Sequence, residues 1–522
     1  MLGISDRAMR RRRPAVGPRF PRAPLLLAGL VALLAVGCAA NNNTRGEEMD
    51  TPPMTDQAVV DAVETEMMFD PAIPHNEVDV SCIDGTVTLK GTVGNLLAKR
   101  RAVRLAETVR GVKSVIDRTD VQPSITRRDY NIESDARTAL LHDRATESWE
   151  IGVDVENGIA TLNGTVDSWQ EKQLAEKVVA GVRGVRGIDN RIDIVYDTER
   201  TDGEIAAEVR RALRYDVLVD HGLVDVAVED GRVKLTGTVG SAAEKRRARI
   251  DAWVAGVDAV ANELEVERWA QDEQRRDQTV VIKSESELED AVEQALVFDP
   301  RVNSLNVAVD ADAGAVTLRG TVDSLAARRA AEHDARHTVG VLRVRNLIKV
   351  RASTPGDAEI EKRLEAALKR DPYIERYELA IEVIDGEAYL TGTVDTHFEK
   401  SRADELASRI YGIEEISNDL EVEDPRYPIV SDPFLDGHDA YIYQWYDYEP
   451  YYTWKSDQDI EQDIQRQLFW NPFVRSADVD VAVDDSVATL SGNVASKFEK
   501  NQAAEEAFEA GATWVYNQIE VR

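Results

Sequence analysis

The residues best suited to chemistry are two histidines four positions apart. His333 and His337 would place both imidazole rings on one face of a helix, as two zinc ligands require. The flanking sequence suggests no third ligand, and an overlay of the repeats described below predicts that His333 faces solvent. Asp310 and Asp312 could begin a calcium loop, but nothing supplies the other ligands. The sequence therefore predicts a non-enzyme with no catalytic residue, no metal site and no cofactor.

Two runs of basic side chains offer a second chemistry, which is contact with anionic phospholipid. A basic residue close to an anionic bilayer contributes about 1 kcal/mol, so four together would hold a protein on it. Arg328 and Arg329 form a smaller group of the same kind. The alternative is a solvated helix face whose cations pair with surplus carboxylates. The candidate lipid-contact residues are Lys99, Arg100, Arg101, Arg104, Lys245, Arg246, Arg247 and Arg249.

The overall charge limits which partners are possible. The 522 residues include 63 basic and 96 acidic ones, for a formal net charge of -33. A field of this sign repels nucleic acid and anionic bilayers at long range. We therefore expect no nucleic-acid partner, and any contact with phospholipid must use a local basic patch.

The amino-terminal segment has the order of a signal peptide. Basic residues precede an apolar run at 24–36, which is short for a membrane span and ends in small residues. The stretch from Ala35 to Cys38 resembles the lipobox of bacterial lipoproteins, although Leu is usual where Ala35 stands. This resemblance implies a signal peptide at 1–37, lipidation of Cys38 and a flexible tether at 38–55.

Two further points concern this segment. Ala39, in place of Asp, resembles the residue after the cysteine in lipoproteins that are sorted to the outer membrane. The expected location is therefore the periplasmic side of the cell envelope, with an outer-membrane anchor. The alternative is an ordinary secretory signal with a chance cysteine, and translation could start at Met9 instead of Met1.

One sequence unit recurs six times after the tether. Each copy contains a Leu-x-Gly-x-Val motif and, 19 or 20 residues later, a second glycine that opens a Gly-Val-x-x-Val-x-Asn pattern with some variation. Two motifs at a conserved spacing indicate tandem repeats of one structural unit. We expect the glycine of the first motif to lie where a backbone turn or a close approach excludes a side chain. These structural glycines are Gly91, Gly164, Gly237, Gly320, Gly392 and Gly492.

Overlaying the copies predicts the secondary structure of the unit. Apolar residues at i, i+4 and i+8 predict a first helix, for example at 205–213. Strict alternation around Asp-Gly or Asn-Gly predicts a β-hairpin, and a second helix and a last strand follow. The predicted fold class is α+β, with six α-β-β-α-β units. Each unit has a three-stranded mixed sheet with two helices packed on one face.

This order of elements and both motifs resemble the BON (bacterial OsmY and nodulation) domain. The resemblance implies an envelope or secreted protein whose repeats bind phospholipid or act as interaction modules, without catalysis. Short linkers favour a semi-rigid string or arc of repeats. The predicted repeats are 56–121, 131–195, 203–267, 286–350, 356–422 and 457–522.

An insertion at 423–456 differs in composition from the repeats, because it holds ten of the 32 aromatic residues. Tyrosine and tryptophan are enriched at protein interfaces and at the headgroup level of membranes. The alternative is a loop that packs its rings onto neighbouring repeats. The candidate partner-contact residues are Tyr443, Trp445, Tyr448, Tyr452 and Trp454.

Two functions follow from these expectations. The favoured one is a lipid-anchored periplasmic scaffold that binds membrane phospholipid and supports envelope integrity under osmotic or other stress. The alternative is a protein–protein adaptor in which the aromatic insertion binds a protein partner of the envelope or of a secretion assembly.

Overall fold

The computed structural model describes the six repeats. The described residues are 54–74, 77–143, 145–146, 150–196, 199–267, 284–302, 304–351, 355–423 and 455–521. The predicted signal peptide, the lipidation site Cys38 and nearly all of the tether therefore lie outside the described residues. So do the five candidate partner-contact residues of the aromatic insertion.

Each repeat contributes two α-helices of 10–14 residues. Serine, threonine or asparagine side chains cap the amino termini of ten of the twelve described helices, and this fixes where they begin. The helices are α1 (Asp56–Phe69), α2 (Leu96–Glu107), α3 (Asp129–His142), α4 (Trp169–Ala180), α5 (Asp202–Tyr215), α6 (Ala242–Asp251), α7 (Glu285–Phe298), α8 (Leu325–Arg336), α9 (Asp357–Arg370), α10 (His397–Ser408), α11 (Asp457–Trp470) and α12 (Lys497–Glu509).

The strands follow the predicted order in every repeat. In repeats 3 and 6 the last strand is divided into two short pieces, and both pieces pair with the same central strand. The strands are β1 (Val78–Ile83), β2 (Thr86–Val93), β3 (Ser114–Val121), β4 (Gly152–Glu156), β5 (Ile159–Val166), β6 (Gly187–Ile194), β7 (Val224–Glu229), β8 (Arg232–Val239), β9 (Ala259–Asn262), β10 (Glu265–Val266), β11 (Val307–Asp312), β12 (Ala315–Val322), β13 (Arg343–Val350), β14 (Ala380–Ile384), β15 (Glu387–Val394), β16 (Glu415–Val422), β17 (Val479–Asp484), β18 (Val487–Val494), β19 (Trp514–Asn517) and β20 (Glu520–Val521).

The sheet of each repeat is mixed, and the predicted fold class is confirmed. The second strand of the hairpin is central, antiparallel to the first strand and parallel to the last, as in β1-β2-β3. Alternate side chains of the central strand are buried, as in Val87, Leu89 and Val93, and both helices of the repeat cover this face. The opposite face of the sheet carries exposed side chains.

The hairpin turns are fixed by the first helix of the same repeat. The two central residues of each hairpin turn have positive φ, for example Asp84 (51°) and Gly85 (78°). A two-residue type I′ turn requires this conformation. The Asp56 carboxylate at the start of α1 accepts hydrogen bonds from the amides of these two residues at 3.0 and 3.2 Å, which lowers its pKa. Asp129, Asp202, Asp357 and Asp457 repeat this contact in repeats 2, 3, 5 and 6.

The repeats pack against one another far more than a string or arc would require. The buried apolar core of repeat 1 is continuous with that of repeat 2. Leu218 and Ala243 of repeat 3 form a further cluster with Phe473 and Phe498 of repeat 6, although many residues separate these repeats in the chain. The expectation of a string or arc was therefore wrong, because the outer faces of the helices bury one another.

The structural glycines lie at a close approach of two backbone segments. Gly320 has φ of 141°, and a Cβ on it would overlap the carbonyl oxygen of Asn306, just before β11. Gly91, Gly237 and Gly492 stand in the same relation to the residue before the first strand of their own repeats. The obstacle is thus the backbone that enters the hairpin, and not the following helix.

We predict that Gly320→Ala destabilises the protein by about 2 kcal/mol or more, because it combines a positive φ with a backbone clash. Gly203→Ala is the matched control, since a Cβ there meets no atom within 4 Å. Urea unfolding of both variants measures the difference. Equal midpoints for the two variants would show that the close approach carries no energetic cost.

Candidate functional site

The carboxyl end of every first helix holds a buried polar residue, and these six residues lie where repeats meet. They are at most 9% exposed, and a side-chain oxygen of each accepts a hydrogen bond from the amide two residues later, at 2.6–2.9 Å. We call them the helix-ending residues. They are Asp70, Asp143, Asp216, Asp299, Asp371 and Asn471.

Three of these carboxylates bind an arginine 31 residues later, on the second helix of the same repeat. Arg402 Nε lies 2.8 Å from Asp371 Oδ2, and Arg247 Nη2 lies 2.6 Å from Asp216 Oδ2. Arg101 forms the same ion pair with Asp70 in repeat 1. A buried carboxylate is stable only with such a partner, so these arginines complete the fold of repeats 1, 3 and 5.

Repeats 2, 4 and 6 lack this arginine and satisfy the helix-ending residue differently. Leu174, Ala330 and Gln502 stand at the corresponding positions. Asp299 binds Arg301 two residues later, at 2.6 Å. Asn471 donates to Gln502 and, at 2.6 Å, to Glu506. The sequence thus alternates between repeats with the arginine and repeats without it.

This alternation matches the way in which the repeats pair. The same interface joins repeat 1 to 6, repeat 2 to 5 and repeat 3 to 4, so each pair contains one repeat with the arginine and one without. An amide near the end of one second helix donates to the last carbonyl of the partner's first helix. These amide-to-carbonyl bonds are Arg110 to Trp470 (2.9 Å), Arg183 to Arg370 (2.8 Å) and Val339 to Tyr215 (2.8 Å).

The candidate lipid-contact residues of repeat 1 contact their own repeat and repeats 2 and 5. Lys99 binds Asp117 at 3.2 Å and the Thr119 carbonyl within its own repeat. Arg100 forms an ion pair with Glu176 of repeat 2. Arg101 is buried and stacks over the Phe398 ring of repeat 5, 5.6 Å from its centroid. Arg104 is partly buried on the same helix.

The corresponding residues of repeat 3 lie in a similar environment. Arg246 binds Glu107 of repeat 1 at 2.7 Å, and Arg247 binds Asp216 and Asp251. Lys245 is partly buried, whereas Arg249 is exposed. For five of the eight residues, the structure favours the alternative in which the cations pair with carboxylates. Asp117, Asp70 and Asp216 lie in the same repeat as the cation they bind, whereas the pairs Arg100–Glu176 and Arg246–Glu107 join different repeats.

The histidine pair lies in an interface and not on a solvent face. His333 is 7% exposed, its ring centroid is 3.9 Å from that of His337, and His337 lies 5.6 Å from Phe498 of repeat 6. The prediction that His333 faces solvent was wrong, because repeats 3 and 6 cover this part of α8. Among the described residues, no group of three or more histidine, cysteine, aspartate or glutamate side chains could hold a metal ion.

A basic surface that the sequence analysis missed lies along the β13 edge of the outer face of the repeat 4 sheet, whose other edge, β11, carries exposed Asp310 and Asp312. Arg343, Arg345, Leu347 and Lys349 alternate along the exposed face of β13. Arg319 is exposed on the neighbouring strand, opposite Leu347 in the parallel register, and pairs with Asp310 at 3.3 Å. Overlaying the last strands would have found this surface, because the equivalent residues of repeat 5 are Glu415, Ser417, Asp419 and Glu421. We call Arg319, Arg343, Arg345, Leu347 and Lys349 the repeat 4 basic face.

No helix in the described part of the chain is long and apolar enough to cross a membrane.

The fold and its interfaces define a tandem array of one α+β unit. The family model of the BON domain matches the chain six times, at residues 55–123, 128–196, 201–268, 284–352, 356–424 and 456–522. These matches cover most of the sequence, so the chain belongs to the BON domain family.

Individual relatives resemble parts of the chain. Osmotically-inducible protein Y of Escherichia coli (strain K12) is 29% identical over 185 residues, which cover 32% of this chain and 92% of the relative. Two solved structures of CdsD, described as a structural protein of the type III secretion system of Chlamydia trachomatis, are each 18% identical and cover 40% of this chain and 92% and 97% of theirs. Their TM-scores are 0.12 and 0.11, so they add nothing to the functional argument.

We predict that Arg402→Ala costs about 3 kcal/mol of stability, because it leaves the fully buried Asp371 carboxylate without its cation. Arg363→Ala removes an exposed i,i+4 pair with Glu359, which water and salt screen, and should cost much less. Urea unfolding compares the two variants. Similar losses would mean that the pair between the helices contributes no more than a surface pair.

A second prediction concerns pH. Burial raises the pKa of Glu506 to about 7 and that of Glu509 well above its ordinary value. The folded state therefore holds these protons more tightly than the unfolded state, and stability falls as pH rises from about 5 to about 8. Glu506→Gln, which mimics the protonated acid, should flatten this decline in urea midpoints.

The control is Glu421→Gln, because Glu421 is exposed. The stability of this variant should show the same pH dependence as that of the wild type. Parallel pH curves for Glu506→Gln and the wild type would contradict the prediction.

Proposed function

We propose that this protein is a non-enzymatic scaffold of the periplasm. It is anchored by a lipid on Cys38, contacts phospholipid surfaces and supports the cell envelope under osmotic stress. The partial likeness to Osmotically-inducible protein Y supports the link to osmotic conditions. The observation that carries the proposed lipid contact is the repeat 4 basic face.

The second helices are poor candidates for this contact. Arg100, Arg101, Arg246 and Arg247 already bind carboxylates within or between repeats. Releasing them to meet lipid would leave those carboxylates without a cation, at a cost that grows with burial. A membrane-binding surface on this protein must therefore consist of side chains that stay exposed when the repeats pack together.

The repeat 4 basic face meets this requirement. Arg343, Arg345 and Lys349 are exposed along one edge strand, while Leu347 and Leu342 are each 41% exposed beside them. Cations that surround exposed leucines suit the headgroup region of a bilayer, where phosphates lie above the acyl chains. At about 1 kcal/mol for each cation, the three give weak binding by themselves.

The lipid anchor turns this weak contact into a lasting one. A chain tethered to the membrane presents its basic face at a high effective concentration, so a modest affinity suffices. The net charge of -33 repels an anionic surface at long range, and only a local patch within about 10 Å overcomes it at 0.1 M salt. Binding should therefore depend strongly on salt and on the orientation of repeat 4.

Vesicle flotation of the chain from Asn41 onward, which lacks the anchor, tests the lipid contact. We predict flotation with vesicles of phosphatidylcholine and phosphatidylglycerol at low salt, and none with phosphatidylcholine alone. The triple variant Arg343→Glu, Arg345→Glu, Lys349→Glu should lose this binding, because each change reverses a charge on the repeat 4 basic face.

The control carries the same change of charge on repeat 1, at exposed Lys90 of β2, Arg118 of β3 and Lys113 just before β3. Acidic residues accompany two of them, because Asp79 lies opposite Lys90 and Asp120 follows Arg118 on the same face. Replacing the three basic residues by glutamate should leave most of the binding intact. If the repeat 4 variant floats as well as the parent chain, the lipid contact is wrong. The adaptor function, with an envelope-protein partner, would then be the better account.

A further inference from the structure

A cavity of about 130 Å³ lies between repeats 3 and 4, beside the histidine pair. Its walls come from the first and second helices of both repeats and include Tyr215, Trp253 and Phe298 as apolar surfaces. Exposed Arg211 also lines the cavity, which places one side of it at the protein surface. This volume holds a ligand of several non-hydrogen atoms.

Two of the four carboxyl groups around the cavity have a full cationic partner. Arg247 Nη2 lies 2.6 Å from Asp216 Oδ2, and Arg301 Nη2 lies 2.6 Å from Asp299 Oδ2. These ion pairs compensate the charge of the helix-ending residues of repeats 3 and 4. Of the two carboxyl groups further along the second helices, Asp251 shares Arg247 with Asp216 at a longer distance of 3.3 Å.

The remaining two carboxyl groups each present an oxygen without a hydrogen-bond partner. Asp251 has an 8% exposed side chain and shares Arg247 at 3.3 Å through Oδ1, but its Oδ2 accepts nothing. Asp334 Oδ2 is likewise buried without a partner, although the Asp334 carboxyl group also hydrogen-bonds the Asp299 side chain. Burial raises the pKa of both carboxyl groups well above the ordinary value, because nearby cations do not repay their desolvation.

The histidine adds a third acceptor. His337 Nδ1 lies 2.9 Å from the His333 carbonyl, which can only accept, so Nδ1 carries the proton. Its Nε2 is then a buried lone pair without a partner. Burial lowers the pKa of His337 to about 4, which keeps the ring neutral and Nε2 free to accept.

We propose that this cavity binds a small organic cation that carries a primary ammonium group. The N–H donors of such a group match the acceptor atoms without a partner that line the cavity, Asp251 Oδ2 foremost, and its single positive charge replaces one proton of the two carboxyl groups. The aromatic and alanine side chains of the walls accommodate an alkyl chain, and tryptophan favours an adjacent cation.

The charges on the solvent side do not oppose this ligand strongly. Arg211 is exposed, so water and salt screen its repulsion of an incoming cation. Arg247 is held by Asp216 and Asp251. A metal ion fits the cavity less well, because the described residues place no three such ligands around a common point.

Calorimetry of the full chain with n-butylammonium chloride tests the proposal, with 1-butanol as a neutral probe of the same length. We expect one n-butylammonium to bind with a Kd of about 1 mM or lower, which five non-hydrogen atoms can supply. Binding should release protons, seen as an enthalpy that differs between two buffers at the same pH. The alcohol should bind at least about tenfold more weakly.

The variant Asp251→Asn, Asp334→Asn removes both charges and should weaken binding about tenfold or more and abolish proton release. Asp290→Asn, on the exposed face of α7, is the control and should bind as the wild type does. Ala295→Leu narrows the cavity without changing charge and should also weaken binding, which keeps the test valid if the double variant misfolds.

Either of two results overturns the proposal. The first is equal affinity for n-butylammonium and 1-butanol, which would make the cavity simply apolar. The second is that the wild type binds no n-butylammonium, or that the Ala295→Leu variant binds it as tightly as the wild type does.

Discussion

The whole arrangement depends on satisfying a buried polar residue at the end of each first helix. These six residues turn the chain toward the hairpin by accepting the amide two positions later. A carboxylate in that position must also hold a cation, since an uncompensated buried charge costs several kcal/mol. The second helix, and with it the neighbouring repeat, therefore packs against the carboxyl end of the first helix.

The arginine 31 residues after the helix-ending residue is unevenly distributed. Repeats 1, 3 and 5 carry it, and each of them pairs with a repeat that lacks it at that position. The interface of repeats 3 and 4 still holds a cation from each side, because Arg301 binds Asp299 and Arg247 binds Asp216. For Asp143 of repeat 2, burial raises the pKa of the carboxyl group, and the charges of Arg409 and Arg301, from repeats 5 and 4, act in the opposite direction.

The sequence predicted the local structure well because local structure depends on short-range patterns. Alternation around Asp-Gly gave the hairpins, and proline after the helix-ending residue marked where several first helices stop. The arrangement of the repeats depends on residues far apart in the chain. A repeat overlay treats the outer helix face as solvent, so it misplaced His333 and could not separate packing arginines such as Arg101 from exposed ones such as Arg345.

The functional consequence is a division between inner and outer surfaces. The helices meet one another, so the outer sheet faces, which differ from repeat to repeat, remain exposed. Repeat 4 presents cations there, repeat 5 presents acids, and repeat 6 presents Trp514 and Tyr516. One fold thus displays different chemistry on each unit while the packing of helices stays common to all.

Hydrogen–deuterium exchange resolved to single amides tests this packing most directly. The amides of Arg110, Arg183 and Val339 follow second helices and donate only to a paired repeat, so we predict that they exchange as slowly as amides within the sheets. Exchange at the rate of exposed amides such as that of Gly203 would contradict the account, because it would mean that the repeats do not pair through their helix ends.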